Sequence, residues 1–303
     1  MHVSKKGRGS KSRKMDAAIT EDLKFMDSFG ITDPSVQIFV TGPKTFKETL
    51  TAEEKAGIRN YVNANGTSLV IHGAYVDRPW GNIVGAIHNV KTELRIGAEI
   101  GATGVVVHLG AGCENDVEFR RALVEIANIE LPRPQVLWLE IQSAKSSNFT
   151  YETTEKLHRL FARIRGYNIT GPNLQPLTQI SFGLCIDTAH LFSCGMSLET
   201  HDAAVRWIEG VDRLRADGIP VMMHLNDSAS SLGSGIDKHQ VLCKGNIWGA
   251  YHPTTGTLPF ERSGLNYILE WADSNRIVCI LERDDDELHK DLKLIHELGF
   301  YIK

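Results

Sequence analysis

No stretch of this 303-residue sequence approaches the ~18 consecutive apolar residues of a membrane-crossing helix, so no membrane partner is expected. The N-terminus carries basic residues with no apolar segment behind them, so it does not read as a secretory signal. Cys113, Cys185, Cys194, Cys243 and Cys279 are odd in number and show no C-x-x-C spacing, which argues against a disulfide framework and for small buried thiols in a reducing compartment. Internal repeats are absent. A net charge of −4 does not advertise a nucleic-acid partner, but the charge is unevenly spread. Lys5, Lys6, Arg8, Lys11, Arg13 and Lys14 put +6 on the first 14 residues, which leaves −10 for the rest. That basic segment, residues 1–15, reads as a mobile solvated tail or as an arm that tracks a phosphate backbone.

An apolar share of 42% supports a large core and excludes disorder throughout. Seven short apolar runs stand out: Val36–Val40, Ser68–His72, Gly104–His108, Val136–Ile141, Phe182–Asp187, Val221–Leu225 and Ile277–Glu282. Their nearly uniform apolarity suits parallel strands buried on both faces. Amphipathic segments alternate with them, at Asp16–Phe29, Thr51–Ala64, Asn82–Ile100, Glu114–Ile126, Thr153–Arg165, Glu199–Asp217, Phe260–Asp273 and Glu287–Leu298. Gly30, Gly101 and Gly299 stand where helix C-caps belong. Gly171–Pro176 has the composition of a turn between helix and strand. Regular alternation implies a parallel α/β sheet with right-handed crossovers. With His2–Ser4 as a very short additional strand, the count reaches a TIM (β/α)8 barrel, expected as one domain over residues 1–303; an open doubly wound sheet is the fallback. Asn226–Pro259 is a long loop rich in Ser and Gly, and such loops in compact domains are usually functional.

The polar residues favour the barrel. Six consecutive runs carry an ionisable side chain at or near their C-terminal end: Val70-Ile71-His72, Val106-Val107-His108, Trp138-Leu139-Glu140, Cys185-Ile186-Asp187, Met222-Met223-His224 and Ile280-Leu281-Glu282. One such residue is ordinary. Six at the C-terminal strand ends would converge on one mouth, where barrel active sites are built. Confined together, they would repel or stay desolvated unless a divalent cation compensates them. Imidazole and carboxylate without thiolate fit catalytic zinc, manganese or iron better than calcium or magnesium. His190 lies three after Asp187, and Asp237 and His239 alternate in the long loop, which suggests a further metal. His88, His158, His201, His289 and His296 fall in helical segments and read as ordinary surface or core residues.

In these segments the sequence resembles the endonuclease IV family of abasic-site (AP) endonucleases. The resemblance is carried by Ile71-His72-Gly73-Ala74-Tyr75, Val107-His108-Leu109-Gly110, Leu139-Glu140, Gly183-Leu184-Cys185-Ile186-Asp187-Thr188-Ala189-His190, His224-Leu225-Asn226-Asp227, Gly233-Ser234-Gly235-Ile236-Asp237-Lys238-His239, Gly245-Asn246-Ile247 and Ile280-Leu281-Glu282. These run in the family's order over about 70–303, and Gly42-Pro43 after the first run resembles the branch found in large DNA viruses. The resemblance implies a TIM barrel with three zinc ions, manganese replacing zinc in part. His72, His108 and Glu140 would hold the first; Glu140 would bridge to a second held also by Asp187, His224 and Glu282; His190, Asp237 and His239 would hold the third. Departures flank the ligands: Ile141-Gln142-Ser143 where Asn-Thr-Ala is usual, Leu109 for Pro, and Arg283-Asp284 for Thr-Pro.

The implied activity is hydrolysis of the phosphodiester 5′ to an abasic site in double-stranded DNA, in base excision repair, with trimming of blocked 3′ ends. Glu282 and Glu140 would be the catalytic carboxylates. Tyr75 matches the family's residue that fills the gap left by the missing base; its plain alternative is a loop aromatic. Lys238, between two ligands, is a natural phosphate contact or a solvated lysine. An intracellular monomer is expected, in cytoplasm or nucleus, or in host cytoplasm or virion if the chain is viral. Two rivals stand beside this reading: a metal-dependent sugar isomerase or epimerase on the same barrel, and a non-catalytic protein that binds damaged DNA.

Overall fold

The computed structural model describes residues 1–5, 12–31, 34–76, 79–81, 85–143, 150–169, 179–283 and 285–300. In chain order its strands are β1 (His2–Val3), β2 (Ser35–Ile38), β3 (Ser68–His72), β4 (Gly104–Leu109), β5 (Gln135–Ile141), β6 (Ile180–Asp187), β7 (Val221–His224), β8 (Asp227–Ser228), β9 (His239–Gln240) and β10 (Val278–Ile280). Eight of them, β1 to β7 followed by β10, form one parallel sheet in sequential order. The His2 N–H donates to the Leu281 carbonyl at 3.1 Å across the remaining seam, so the sheet curls into a nearly closed barrel. The short pair β8–β9 is antiparallel and lies within the long loop.

The helices are α1 (Met15–Asp27), α2 (Ala52–Asn65), α3 (Ala86–Ile100), α4 (Asp116–Ala127), α5 (Thr154–Gly166), α6 (Thr188–Ser193), α7 (His201–Ala216), α8 (Gly264–Asn275) and α9 (Asp285–Glu297). Their starts follow from local chemistry. Thr51 and Glu54 form a reciprocal capping box on α2, and the side chains of Asn115, Thr153 and Thr200 accept from the first turns of α4, α5 and α7. The segment read as a helix from Phe260 is divided: a 3₁₀ turn covers Phe260–Arg262, and Ser263 caps α8. Among the described residues no helix is long and apolar enough to cross a membrane. The turn expected at Gly171–Pro176 and the first residues of the Asn82–Ile100 segment lie outside the described residues.

Two apolar layers hold the barrel. The larger lies between strands and helices, with Ile38, Leu69, Ile71, Val105, Leu139, Leu184 and Ile186 facing outward onto residues such as Leu94, Phe119 and Ile208. The smaller fills the barrel itself with Val70, Val106, Trp138, Cys185, Met222 and Ile280, one from each of six strands. Trp138 is the bulkiest of these. It fits because a Cβ at Gly183 would lie 2.5 Å from its ring, and one at Gly104 would lie 2.9 Å from its Nε1.

The basic N-terminus does not stand off the body in its described part. Met1 and Val3 are buried, and the terminal amine donates to the Ser35 carbonyl at 2.6 Å. Lys5 pairs with the buried Glu54 at 2.7 Å, and Arg13 with the buried Asp22 at 3.0 Å. Lys14 pairs with Glu53 at 2.8 Å, both exposed; Lys6, Arg8 and Lys11 lie outside the described residues.

Candidate metal centre

Side chains two apart on a strand share a face. His72, His108, Glu140, Asp187, His224 and Glu282 each stand two residues beyond a member of the barrel's inner layer, so the same face that is apolar below becomes polar at the mouth. Strand register completes the ring: His108 is level with Glu140, and Asp187 with His224. Glu282 lies just past the end of β10. Asp187 caps α6, a short helix that the sequence reading did not anticipate, by accepting from the His190 N–H at 2.8 Å, and so sets His190 beside the ring. Gly233 and Gly235, at φ of 71° and 67°, let the long loop turn back on α6, where their amides donate to the Phe192 and Ser193 carbonyls. Asp227 accepts from the amides of Ser228, Gly245 and Ile247 and ties the start of that loop to its middle.

All nine expected ligands are brought to this mouth. Glu140 is fully buried at the centre. Its Oε2 lies 3.4 Å from His72 Nε2 and 3.1 Å from His108 Nε2, and its Oε1 lies 3.2 Å from Nδ1 of both His190 and His224. His224 Nδ1 is also 3.3 Å from Glu282 Oε2 and 3.9 Å from Asp187 Oδ2. Asp237 joins His190 Nε2 at 3.2 Å to His239 Nε2 at 3.1 Å. Tyr75 stands half-exposed on the rim, its ring parallel to that of His108 at 6.1 Å and edge-on to His72. Lys238, between Asp237 and His239, is exposed.

Electrostatics bear the stamp of crowding. Burial pushes the Glu140 carboxyl up, but the charges of His108 and His224 outweigh it and hold the group well below its usual range. Glu282, raised by burial and by Glu140, is brought down to about 2 chiefly by His224. His190 and His224 are driven down by burial and lifted well above an ordinary imidazole by the surrounding anions. Among the protein's own groups, imidazolium charge is what balances the carboxylates.

The donor set fits a metal better than it fits a hydrogen-bonded core. Among the described residues, buried Glu140 Oε2 and His239 Nε2 have no hydrogen-bond partner despite oppositely charged atoms within 3.4 Å, because the imidazole lone pairs and the carboxylates converge on common points. Ligand atoms of His72, Glu140 and His224, of His108, Glu140 and His190, of Asp187, His190 and His239, and of Glu140, Asp187, His224 and Glu282 each fall within 4.8 Å of one another. Four of the five histidines also direct a ring nitrogen to a fixed acceptor: His72 to the Gly73 carbonyl, His190 to that of Ile141, His239 to that of Glu282, and His224 to the Gln37 side chain. Such outer bonds fix the tautomer of metal-binding imidazoles.

Three contributors escaped the sequence reading. Gln37 sits inside an apolar run, and His2 on a two-residue strand; Gln37 reaches the ring from β2, and His2 on β1 contacts Gln37. Asn226, within a quoted motif, donates to Asp187 Oδ2 at 2.7 Å and accepts from the Glu282 N–H at 3.1 Å. The departures beside the ligands also find a physical basis. Ile141 and Leu109 place their side chains in the outer core, and Ile141 serves His190 through its carbonyl alone. Arg283 is buried against Asp291 at 3.2 Å and donates to the Glu282 carbonyl.

Comparison with known proteins agrees with this geometry. Residues 34–298 match the family described as xylose isomerase-like TIM barrel. A probable AP endonuclease of African swine fever virus (isolate Tick/Malawi/Lil 20-1/1983) is 31% identical over 270 residues, covering 88% of this chain and 84% of the relative. The solved AsfvAP:AG structure superposes with a TM-score of 0.82 at 28% identity, over 98% of this chain and 96% of that one. Endonuclease IV from Thermus thermophilus, at 23% identity, shares the fold with a TM-score of 0.69 over 98% of each chain. Fold and site thus define a xylose isomerase-like TIM barrel with a polar mouth. Within that class, the chain belongs to the AP endonuclease family that includes endonuclease IV.

Proposed function

We propose that this protein is a zinc-dependent AP endonuclease that hydrolyses the phosphodiester 5′ to an abasic site in double-stranded DNA and leaves a 3′-hydroxyl and a 5′ deoxyribose phosphate. Trimming of blocked 3′ ends is the companion activity, and the enzyme acts as an intracellular monomer. The observation that carries the reading is the nine-residue donor set at one mouth, with Glu140 Oε2 and His239 Nε2 buried without hydrogen-bond partners among the described residues. The swine fever virus relative described as a probable AP endonuclease supplies the reaction class.

His72, His108 and Glu140 would hold one zinc; Glu140, Asp187, His224 and Glu282 a second; His190, Asp237 and His239 a third. Bound zinc supplies a water of lowered pKa and neutralises charge on phosphate oxygens and the leaving alkoxide. Glu282 turns one carboxylate oxygen toward the cluster, placed to orient and polarise the attacking water, while Glu140 carries charge to both halves of the centre. Four ligand carboxylates do not cancel three divalent cations, so the mouth attracts DNA although the chain is acidic overall. Tyr75 is exposed enough to enter the gap left by a missing base, and an abasic sugar costs least to turn out of the helix. Lys238 reaches a phosphate from between two ligands.

A sugar isomerase would leave the His190–Asp237–His239 group without a task. The purified protein with zinc should cut a duplex containing one tetrahydrofuran abasic analogue at a single position, on the analogue's 5′ side. An uncut duplex overturns the proposal.

A further inference from the structure

His72, His190 and His239 lean on backbone carbonyls, but His224 leans on a side chain. Gln37 is wholly buried on β2. Its Oε1 is 2.8 Å from His224 Nε2, and its Nε2 is 2.9 Å from Glu282 Oε1 and 3.3 Å from His2 Nδ1. The amide has one workable orientation. Reversed, its carbonyl oxygen would face the Glu282 carboxylate, acceptor against acceptor, with the amide itself wholly buried. The Glu282 contact therefore fixes the amide, and the fixed amide requires a proton on His224 Nε2. In the neutral ring that a metal takes, in place of the imidazolium that balances the carboxylates without one, this puts the lone pair on His224 Nδ1, the atom 3.2 Å from Glu140 and 3.3 Å from Glu282. His2 accepts the second amide proton at Nδ1.

We infer that Gln37 is a positioning residue of the metal centre: its carbonyl selects the His224 tautomer that offers Nδ1 to metal, and its amide holds Glu282 Oε1 so that Oε2 faces the cluster. The inference rests on the zinc reading of the mouth. It assigns to a neutral side chain the coupling of one imidazole ligand to the carboxylate that orients water, two groups 187 and 245 residues away in sequence.

Two measurements on the full chain test it. In zinc-loaded protein with ¹⁵N-labelled histidine, long-range ¹H–¹⁵N spectra should show His224 protonated at Nε2, with that proton protected from exchange; a proton on Nδ1 overturns the inference. In Gln37→Met, which keeps an unbranched side chain and removes both hydrogen bonds, competition with a chromophoric chelator should show zinc affinity reduced by about 10–100-fold. The kcat for incision should fall while KM for the duplex stays within about threefold, because the DNA surface is untouched. Zinc affinity and kcat both within about threefold of the parent overturn the inference, and should Gln37→Met fail to fold, the spectrum of the parent protein decides. A parent chain that takes up no zinc overturns both readings. One that binds zinc but cuts no DNA overturns the nuclease reading alone, since tautomer and affinity are read without incision.

Discussion

The inner layer of the barrel and the ring above it are built from the same strands, two residues apart, on the same face. Val70, Val106, Trp138, Cys185, Met222 and Ile280 form an apolar plug held chiefly by packing. His72, His108, Glu140, Asp187, His224 and Glu282 form a ring whose members need partners that packing alone does not provide. In the plug the orphaned polar atom is a neutral indole Nε1, that of Trp138, whereas in the ring it is a carboxylate oxygen, Glu140 Oε2; among the described residues neither has a hydrogen-bond partner. One step of the β-pleat separates a stability device from a device for holding charge. The plug also supplies what the ring requires, a rigid, low-dielectric floor that keeps charges close and strengthens each interaction among them.

The comparison can be broken from either side. Glu282→Gln keeps the shape of the ring and removes a charge; incision should fall at least about a thousandfold, some 4 kcal/mol of transition-state stabilisation, while abasic duplex is still bound. Activity within tenfold of the parent in single-turnover assays would leave Glu282 without its assigned role, and a parent that binds but never cuts would favour a damage-binding protein. Trp138→Ala breaks the plug instead. It should cost about 3 kcal/mol in denaturant unfolding, because Gly104 and Gly183 cannot fill the space, yet leave the zinc content unchanged. Loss of zinc in that variant would show that plug and ring are one unit.

A third test contrasts two buried carboxylates. Glu54 is satisfied by protein alone: its oxygens accept from the Met15 and Thr51 amides and from Lys5. Burial raises its pKa, but Lys5 and these amides bring it to about 2. A carboxyl depressed from the ordinary ~4.3 contributes stability that is complete above that value and is lost as pH falls toward 2. Glu54→Gln should therefore cost about 2 kcal/mol at pH 7 and remove part of the acid slope of unfolding free energy between about pH 5 and pH 2. An unchanged slope would mean that Glu54 is not held by these bonds.

How much of this was legible in the sequence follows from the same contrast. Strand-end His, Asp and Glu residues announce themselves because an ionisable group closing an apolar run is conspicuous, and the barrel follows from the alternation of runs and amphipathic segments. Gln37 did not announce itself, since it is uncharged and lies in mid-run, and its role depends on residues far away in sequence. Helix α6 was hidden because Asp187 serves as both cap and ring member. The acceptors for His72, His190 and His239 are backbone carbonyls, which any residue type supplies, so no residue identity could reveal them. The N-terminal cations looked free because their partners, Asp22 and Glu54, are acidic residues on helices whose faces the sequence reading did not resolve.

The central claim is that the ring is completed by metal. Plasma emission spectrometry on the full-length protein, purified with zinc and freed of loosely bound ions, tests it most directly. The account predicts about three zinc per chain, with stoichiometry falling when Glu140 is replaced by Ala. A chain that retains no zinc, and whose ring remains an apo network of imidazolium and carboxylate groups, would contradict it.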